Sequence, residues 1–246
     1  MKLALMMSGH PRLYDDTFSS WNTNLFTHHD VDIFFHMWET RGYKDASMIH
    51  AGGIVQDTLV DINHLRKIWN PTKLVMETYN DYHEQFVEYT NQWFALRDKF
   101  GLLEAHRPIS NTSMYYKWWA CNQLRLEYEI QTSTKYDCVI LSRPDIYLED
   151  ELPSEIFENQ PKLYFGCAGW SSSVQADFLS DFIVAGNSEC MSYWCSIYPN
   201  LDQKLMESLK LEDFDMVLNP HKLFHHHAMT APMPFDELFI NVVKKT

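Results

Sequence analysis

The apolar residues of this chain fall into two kinds of run. Short continuous stretches read as strands buried on both faces, and longer stretches with apolar residues three and four apart read as helices. Residues 2–7 form a first buried strand, closed by Ser8-Gly9-His10-Pro11-Arg12, where Gly and Pro make a tight turn. A helix is predicted over Asp15–Phe26, with Phe18, Trp21 and Leu25 on one stripe, and Val31–Trp38 is a second apolar strand. Strand, turn, helix and strand in this order open a βαβ unit, which predicts an α/β fold with a mostly parallel sheet.

The alternation continues along the chain. Asp61–Trp69 reads as a short helix, Lys73–Thr78 as a third strand, and Tyr82–Phe100 as a helix with Phe86, Tyr89, Trp93, Leu96 and Phe100 at helical spacing. After a break at Pro108, Asn111 or Thr112 can cap a second long helix running to about Gln131, with Tyr115, Trp118, Trp119, Leu126 and Ile130 as its core face. Cys138–Leu141 is the most buried-looking strand, and it stops at Ser142 before Arg143-Pro144-Asp145. Pro144 has a fixed φ and no donor, so the strand ends there. Ile146–Leu148 continues briefly. Lys162–Phe165 and Phe178–Ala185 are paired strand candidates flanking a Gly- and Ser-rich loop that carries Trp170. Glu189–Tyr198 and Leu201–Leu211 read as helices, Pro220 starts a short helix through Ala228, and Glu237–Val243 reads as a last strand.

Composition narrows the picture. A chain of 246 residues with 46% hydrophobic and 15% aromatic content can bury the core of a single domain, residues 1–246. A formal charge of -13 argues against nucleic acid or an anionic membrane as a partner, because both are bound by Lys and Arg. An anionic small molecule is still admissible where a local cationic pocket or a metal receives it. The five cysteines, at 121, 138, 167, 190 and 195, include no CxxC pair and suggest reduced thiols in a cytoplasmic setting. Met1–Met7 is too short for a secretory signal, and no apolar run approaches a transmembrane span.

The candidate chemistry gathers where strands end, since ligands of open α/β sheets bind beyond the carboxyl ends of the strands. Asp145 is suited to a Mg²⁺ or Mn²⁺ ion bridging a diphosphate, with Arg143 offsetting phosphate charge. The plainer alternative is an ion pair that serves only the turn. In Ser8–Arg12, Gly9 lets a ligand approach the backbone and Arg12 can reach a phosphate, although the segment is neither a P-loop nor GxGxxG. His36 and Trp38 end the second strand on the same edge. Asp177 and Asp181 follow the Gly/Ser loop, where a carboxylate can hold a sugar hydroxyl, act as a base or cap an element. His221, His225, His226 and His227 invite a zinc reading, because His221 and His225 share a helix face, yet HExxH is absent.

Taken together, the strand ending in Ser8, Gly9 and Arg12, then Val31–Trp38, Ser113-Met-Tyr-Tyr-Lys117, Tyr136 to Asp145, and Asp177-Phe178 resemble a group of GT-A-like glycosyltransferases of bacteria and viruses. The likeness covers roughly residues 1–186, and the Arg-Pro-Asp strand is its most specific part. It implies a Rossmann-like GT-A fold, with residues 1–145 as a nucleotide-binding half and 146–246 as an acceptor-side half. It also implies a nucleotide-sugar donor, a carbohydrate acceptor, and Mn²⁺ or Mg²⁺. Arg143-Pro144-Asp145 stands in the place of the DxD motif, with Arg where that motif has its first Asp. By the same resemblance Ser8, Gly9, Arg12, Lys117 and Arg143 face the nucleotide, Asp145 and His221 face the metal, and Asp145 and Asp177 are catalytic. His221 stands where an acidic residue is expected to open the last helix. Two other readings are a nucleotide-sugar or glycan-binding protein without turnover, and a zinc hydrolase built on His221–His227.

Overall fold

The computed structural model describes residues 1–42, 58–100, 108–167, 179–211 and 220–244. Its centre is a seven-stranded sheet in the order β3-β2-β1-β4-β7-β6-β8. The strands are β1 Leu3–Gly9, β2 Val31–Trp38, β3 Lys73–Glu77, β4 Cys138–Ser142, β6 Leu163–Cys167, β7 Ile183–Gly186 and β8 Phe235–Phe239. β1, β2, β3 and β4 are mutually parallel, β7 runs antiparallel to both β4 and β6, and β6 is parallel to β8. β5 Ile146–Leu148 and β9 Val242–Lys244 form a separate antiparallel pair. The expected α/β architecture with a mostly parallel sheet is the one observed.

Strand residues alternate between two cores, as the pleat requires. Met6, Phe34, Val139, Leu141, Phe165 and Val184 pack on one face against α3 Asn80–Phe100, α4 Pro108–Thr132, α5 Ser188–Trp194 and the helix Pro220–Met229. Leu5, Met7, Phe35, Cys138, Ile140 and Ile183 pack on the other against α1 Tyr14–Trp21, α2 Ile62–Trp69 and the β5–β9 pair. β4 is buried along its whole length between β1 and β7, which is why it shows no polar alternation. Helix α6 Leu201–Leu211 follows the 3-10 segment Cys195–Asn200, and Pro220–Met229 is α7.

Local chemistry explains most boundaries. Asp61 caps α2 by accepting from Asn63 N at 2.9 Å and His64 N at 3.1 Å, and Asn187 caps α5 by accepting from Cys190 N at 3.0 Å. Helix α4 begins at Pro108, not at a cap on Asn111 or Thr112, since proline lacks only a donor that the first turn leaves unused. Its core face also differs from expectation. Arg125 and Glu129 are buried while Ile130 is 79% exposed, because ionic groups that satisfy each other can occupy the inward stripe. The tail forms two strands, β8 and β9, in two different sheets, with a break at Ile240 and Asn241. β7 starts at Ile183, so the earlier part of the expected strand lies partly outside the described residues and partly in the segment Leu179–Phe182.

Candidate functional site

The carboxyl ends of β1 and β4 lie side by side, since Met7 is in register with Ser142. Beyond Ser142 the chain turns sharply, with Ile146 N donating to the Arg143 carbonyl at 3.2 Å. Helix α1 grips this turn through its backbone. Thr17 donates to the Pro144 carbonyl at 2.7 Å, Trp21 Nε1 to the Ile146 carbonyl at 2.8 Å, and Ser20 Oγ accepts from Leu148 N at 3.1 Å. A rigid helix thus fixes where Arg143 and Asp145 point.

The Asp145 side chain is 1% exposed and sits between two arginines. Arg143 forks onto it, Nε to Oδ1 at 3.0 Å and Nη2 to Oδ2 at 2.8 Å, while Arg12 Nη1 donates to the same Oδ2. The third arm of Arg143, Nη1, donates to Asp181 Oδ2 at 2.8 Å. Burial works against the Arg143 charge, but Asp145 and then Asp181 more than offset it and hold the guanidinium above its ordinary pKa. Burial likewise pushes the Asp181 carboxyl up, and the charges of Arg143 and then His221 reverse this, leaving it below the usual carboxylate range. His221, in the first turn of α7, donates from Nδ1 to the Leu179 carbonyl at 2.7 Å. Tyr115 belongs to the same neighbourhood: burial first and the Asp181 charge second raise its phenol, and its hydroxyl has no partner among the described residues.

On the β1 side, Gly9 has φ +100°, a conformation that L side chains rarely adopt, so glycine is required there. Nothing among the described residues lies within 4 Å of where its Cβ would be. Arg12 also has positive φ, +38°, and its backbone is clasped by Arg41: Arg12 N donates to the Arg41 carbonyl at 2.9 Å and Arg41 Nη1 to the Arg12 carbonyl at 3.1 Å. Arg41 is itself paired to Asp15 at 2.9 Å. Ser8 is buried, and its Oγ finds no partner among the described residues.

Lys117 occupies a second cluster, over the ends of β2 and β3. It is fully buried, and Nζ donates to Glu77 Oε2 at 2.8 Å and to the Met37 carbonyl at 3.1 Å, lies 3.3 Å from His36 Nδ1, and sits 3.5 Å from the Trp38 ring centroid. Burial lowers its pKa to about 8 with Glu77 opposing, and burial followed by the Lys117 charge presses His36 down to about 4. Tyr82 and Tyr116 also donate to Glu77, at 2.6 Å and 2.9 Å. Every partner that Lys117 shows is internal, which makes it a buried polar anchor for these strand ends and not an open cation.

Of the residues expected at the site, Arg12 and Arg143 are directly bonded to Asp145, Ser8 and Gly9 end the adjoining strand, and His221 is bonded to the Leu179 carbonyl, two residues before Asp181. Asp177 and Trp170 lie outside the described residues. Asp181 is the one of the two aspartates after the Gly/Ser loop that the structure describes, and its sequence signal is its place after that loop. Tyr115 read as a core aromatic, and no sequence signal separated its hydroxyl from the other aromatics of α4.

These residues fit a divalent cation poorly. Both Asp145 oxygens already accept from guanidinium groups, and Asp181 is tied to Arg143. Among the described residues no group of three or more His, Cys, Asp or Glu can hold a metal. That holds for the histidines of α7 as well: His227 is buried, donates from Nε2 to the Tyr193 carbonyl at 3.1 Å and stacks on Tyr193 at 4.4 Å, while His225 meets the edge of Phe235. No described helix is long and apolar enough to cross a membrane.

No protein-family model matches the chain. No curated protein matches it in sequence. Among solved structures, it is similar to mouse xyloside xylosyltransferase 1 in its apo form, with a TM-score of 0.45 and 12% identity over 97% of this chain and 85% of that one.

Proposed function

We propose that the chain is a glycosyltransferase that moves a sugar from a nucleoside diphosphate sugar to the hydroxyl of a carbohydrate acceptor. The observation that carries this reading is the Arg12–Asp145–Arg143–Asp181 array at the adjoining ends of β1 and β4. A parallel-sheet edge is where such folds take nucleotides, and two guanidiniums there suit a diphosphate. Residues 1–145 form the donor half in this reading and residues 146–246 the acceptor half. Transfer breaks the bond between the anomeric carbon and the diphosphate oxygen, whose electron pair stays on the phosphate. The acceptor oxygen takes its place and gives up a proton.

A second reading, a binder of nucleotide sugars without turnover, is favoured by one feature: Asp145 and Asp181 are both committed to arginines, so neither is available as a general base. Incubating the protein with a panel of nucleotide sugars separates the two. Release of nucleoside diphosphate, by transfer or by slow hydrolysis, supports the transferase, while affinity without release supports the binder. If neither nucleotide sugars nor nucleoside diphosphates bind, both readings fall.

A further inference from the structure

A divalent cation is the expected counter-charge for a diphosphate leaving group, and Asp145 is the residue expected to bind it. The geometry around Asp145 points elsewhere. A hard cation needs carboxylate oxygens as direct ligands. Here Oδ1 accepts from Arg143 Nε at 3.0 Å, and Oδ2 accepts from both Arg143 Nη2 at 2.8 Å and Arg12 Nη1. The carboxylate is 1% exposed, so a metal would have to expel an arginine from a buried pair or lie against two guanidiniums of like charge.

Arg12 differs from Arg143 in the way that matters. Arg143 spends three N–H groups on Asp145 and Asp181 and is 17% exposed, whereas Arg12 is 30% exposed and makes one side-chain hydrogen bond among the described residues. A guanidinium carries five donors, so most of the Arg12 fork is unengaged by the described residues and suits another anion. Its position is fixed from both ends. Arg41 clasps its backbone, and Asp145, itself held by the Arg143 fork, holds the guanidinium at the adjoining ends of β1 and β4.

Resting on the transferase reading, we propose that Arg12 is the cation that receives the leaving diphosphate, that Asp145 is a positioning residue for the two arginines and not a metal ligand, and that donor binding and turnover need no divalent ion. As the anomeric carbon–oxygen bond breaks, the electron pair settles on the phosphate oxygen and Arg12 offsets the charge while staying protonated. The acceptor oxygen bonds to the anomeric carbon and its proton leaves to water.

The test is calorimetric binding of nucleoside diphosphates and release of nucleoside diphosphate from nucleotide sugars, each in excess EDTA and again with Mn²⁺ or Mg²⁺. Titration of Mn²⁺ alone, followed by its paramagnetic resonance, completes the set. We expect affinity and release to be the same with and without metal and no stoichiometric Mn²⁺ binding. Arg12→Gln should lose on the order of ten- to a hundredfold in diphosphate affinity, and Arg12→Lys should lose less. Should Arg12→Gln fold poorly, Arg12→Lys keeps the charge beside Asp145 and still lacks the fork. Binding or release that EDTA abolishes and Mn²⁺ restores overturns the proposal while leaving the transferase standing. Binding unaffected by both Arg12 variants also overturns it. If no nucleoside diphosphate binds under any condition, the transferase reading has failed and this inference falls with it.

Discussion

The hydroxyl of Thr17 donates a 2.7 Å hydrogen bond to the carbonyl of Pro144, fastening α1 to the turn between Arg143 and Asp145. Both partners are buried, so removing the donor leaves a carbonyl without its hydrogen bond. Thr17→Val is nearly the same shape and is predicted to cost about 1–3 kcal/mol, read as a lower urea midpoint at unchanged m-value. Diphosphate affinity should weaken as well, because the turn that aims Asp145 is loosened. A variant as stable as the parent would show that Trp21 and Ser20 suffice to hold the turn.

Arg143 is the structural centre of the array, joined to Asp145 through its fork and to Asp181 at 2.8 Å. Arg143→Ala leaves the buried Asp145 and the largely covered Asp181 without this partner, and breaking a buried pair costs about 3–5 kcal/mol. Arg143→Lys retains charge but not the fork, so it should recover only part of that loss. Chemical denaturation of the three proteins under identical conditions checks the order, which fails if Lys and Arg are equivalent.

The buried ion pair of α4 makes a separate prediction away from the site. Arg125 bonds to Glu129 at 2.8 Å, Asn122 Oδ1 at 2.7 Å, Ser188 Oγ at 2.6 Å and Ser192 Oγ at 2.9 Å, tying α4 to α5. Arg125→Ala should destabilise by about 3–5 kcal/mol, since Glu129 keeps its charge with less to balance it. Nucleotide affinity of the remaining folded protein should be untouched, and a change there would mean that α5 helps to position the site.

Gly9 gives a prediction that steric space alone would miss. Nothing described stands near its missing Cβ, so a contact-based view would tolerate alanine. Its φ of +100° imposes backbone strain instead, and Gly9→Ala is expected to cost about 1–3 kcal/mol in thermal or urea unfolding. An alanine variant of unchanged stability would mean that the turn relaxes away from positive φ.

How much of this was legible in the sequence depends on what each signal measures. Continuous apolar runs located β2 at Val31–Trp38 and the buried β4, because a strand covered on both faces has no polar alternation to confuse the reading. Helical periodicity erred at Ile130, since it counts apolar residues and cannot see that Arg125 and Glu129 neutralise each other inside. The Arg143–Asp145 pair was visible as neighbours in the chain. Its link to Arg12 joins positions 133 apart, which only the adjacency of β1 and β4 brings about. Lys117, which the resemblance sets facing the nucleotide, lies on a helix in the sequence, and nothing there shows that Glu77, His36 and Trp38 close around it.

His36 in that closed cluster and the buried His227 of α7 give stability a pH dependence. His36, beside Lys117 and nearly inaccessible to solvent, has its folded pKa pressed to about 4 from the ordinary 6.5, and burial likewise takes His227 to about 4. Above pH 6.5 both states hold these imidazoles neutral and the shift has no effect. Between about 6.5 and 4 the unfolded chain takes up protons that the folded one refuses, so stability falls as pH falls, and the loss saturates below about 4. Each histidine alone can contribute on the order of 3 kcal/mol across that window. His36→Gln cannot titrate, so it should flatten the slope by about the share of one histidine whatever its own effect on stability at neutral pH. Urea unfolding at a series of pH values for the parent, His36→Gln and His227→Gln tests this. Parallel curves for parent and His36→Gln would mean that His36 titrates normally and that its contact with Lys117 opens in solution.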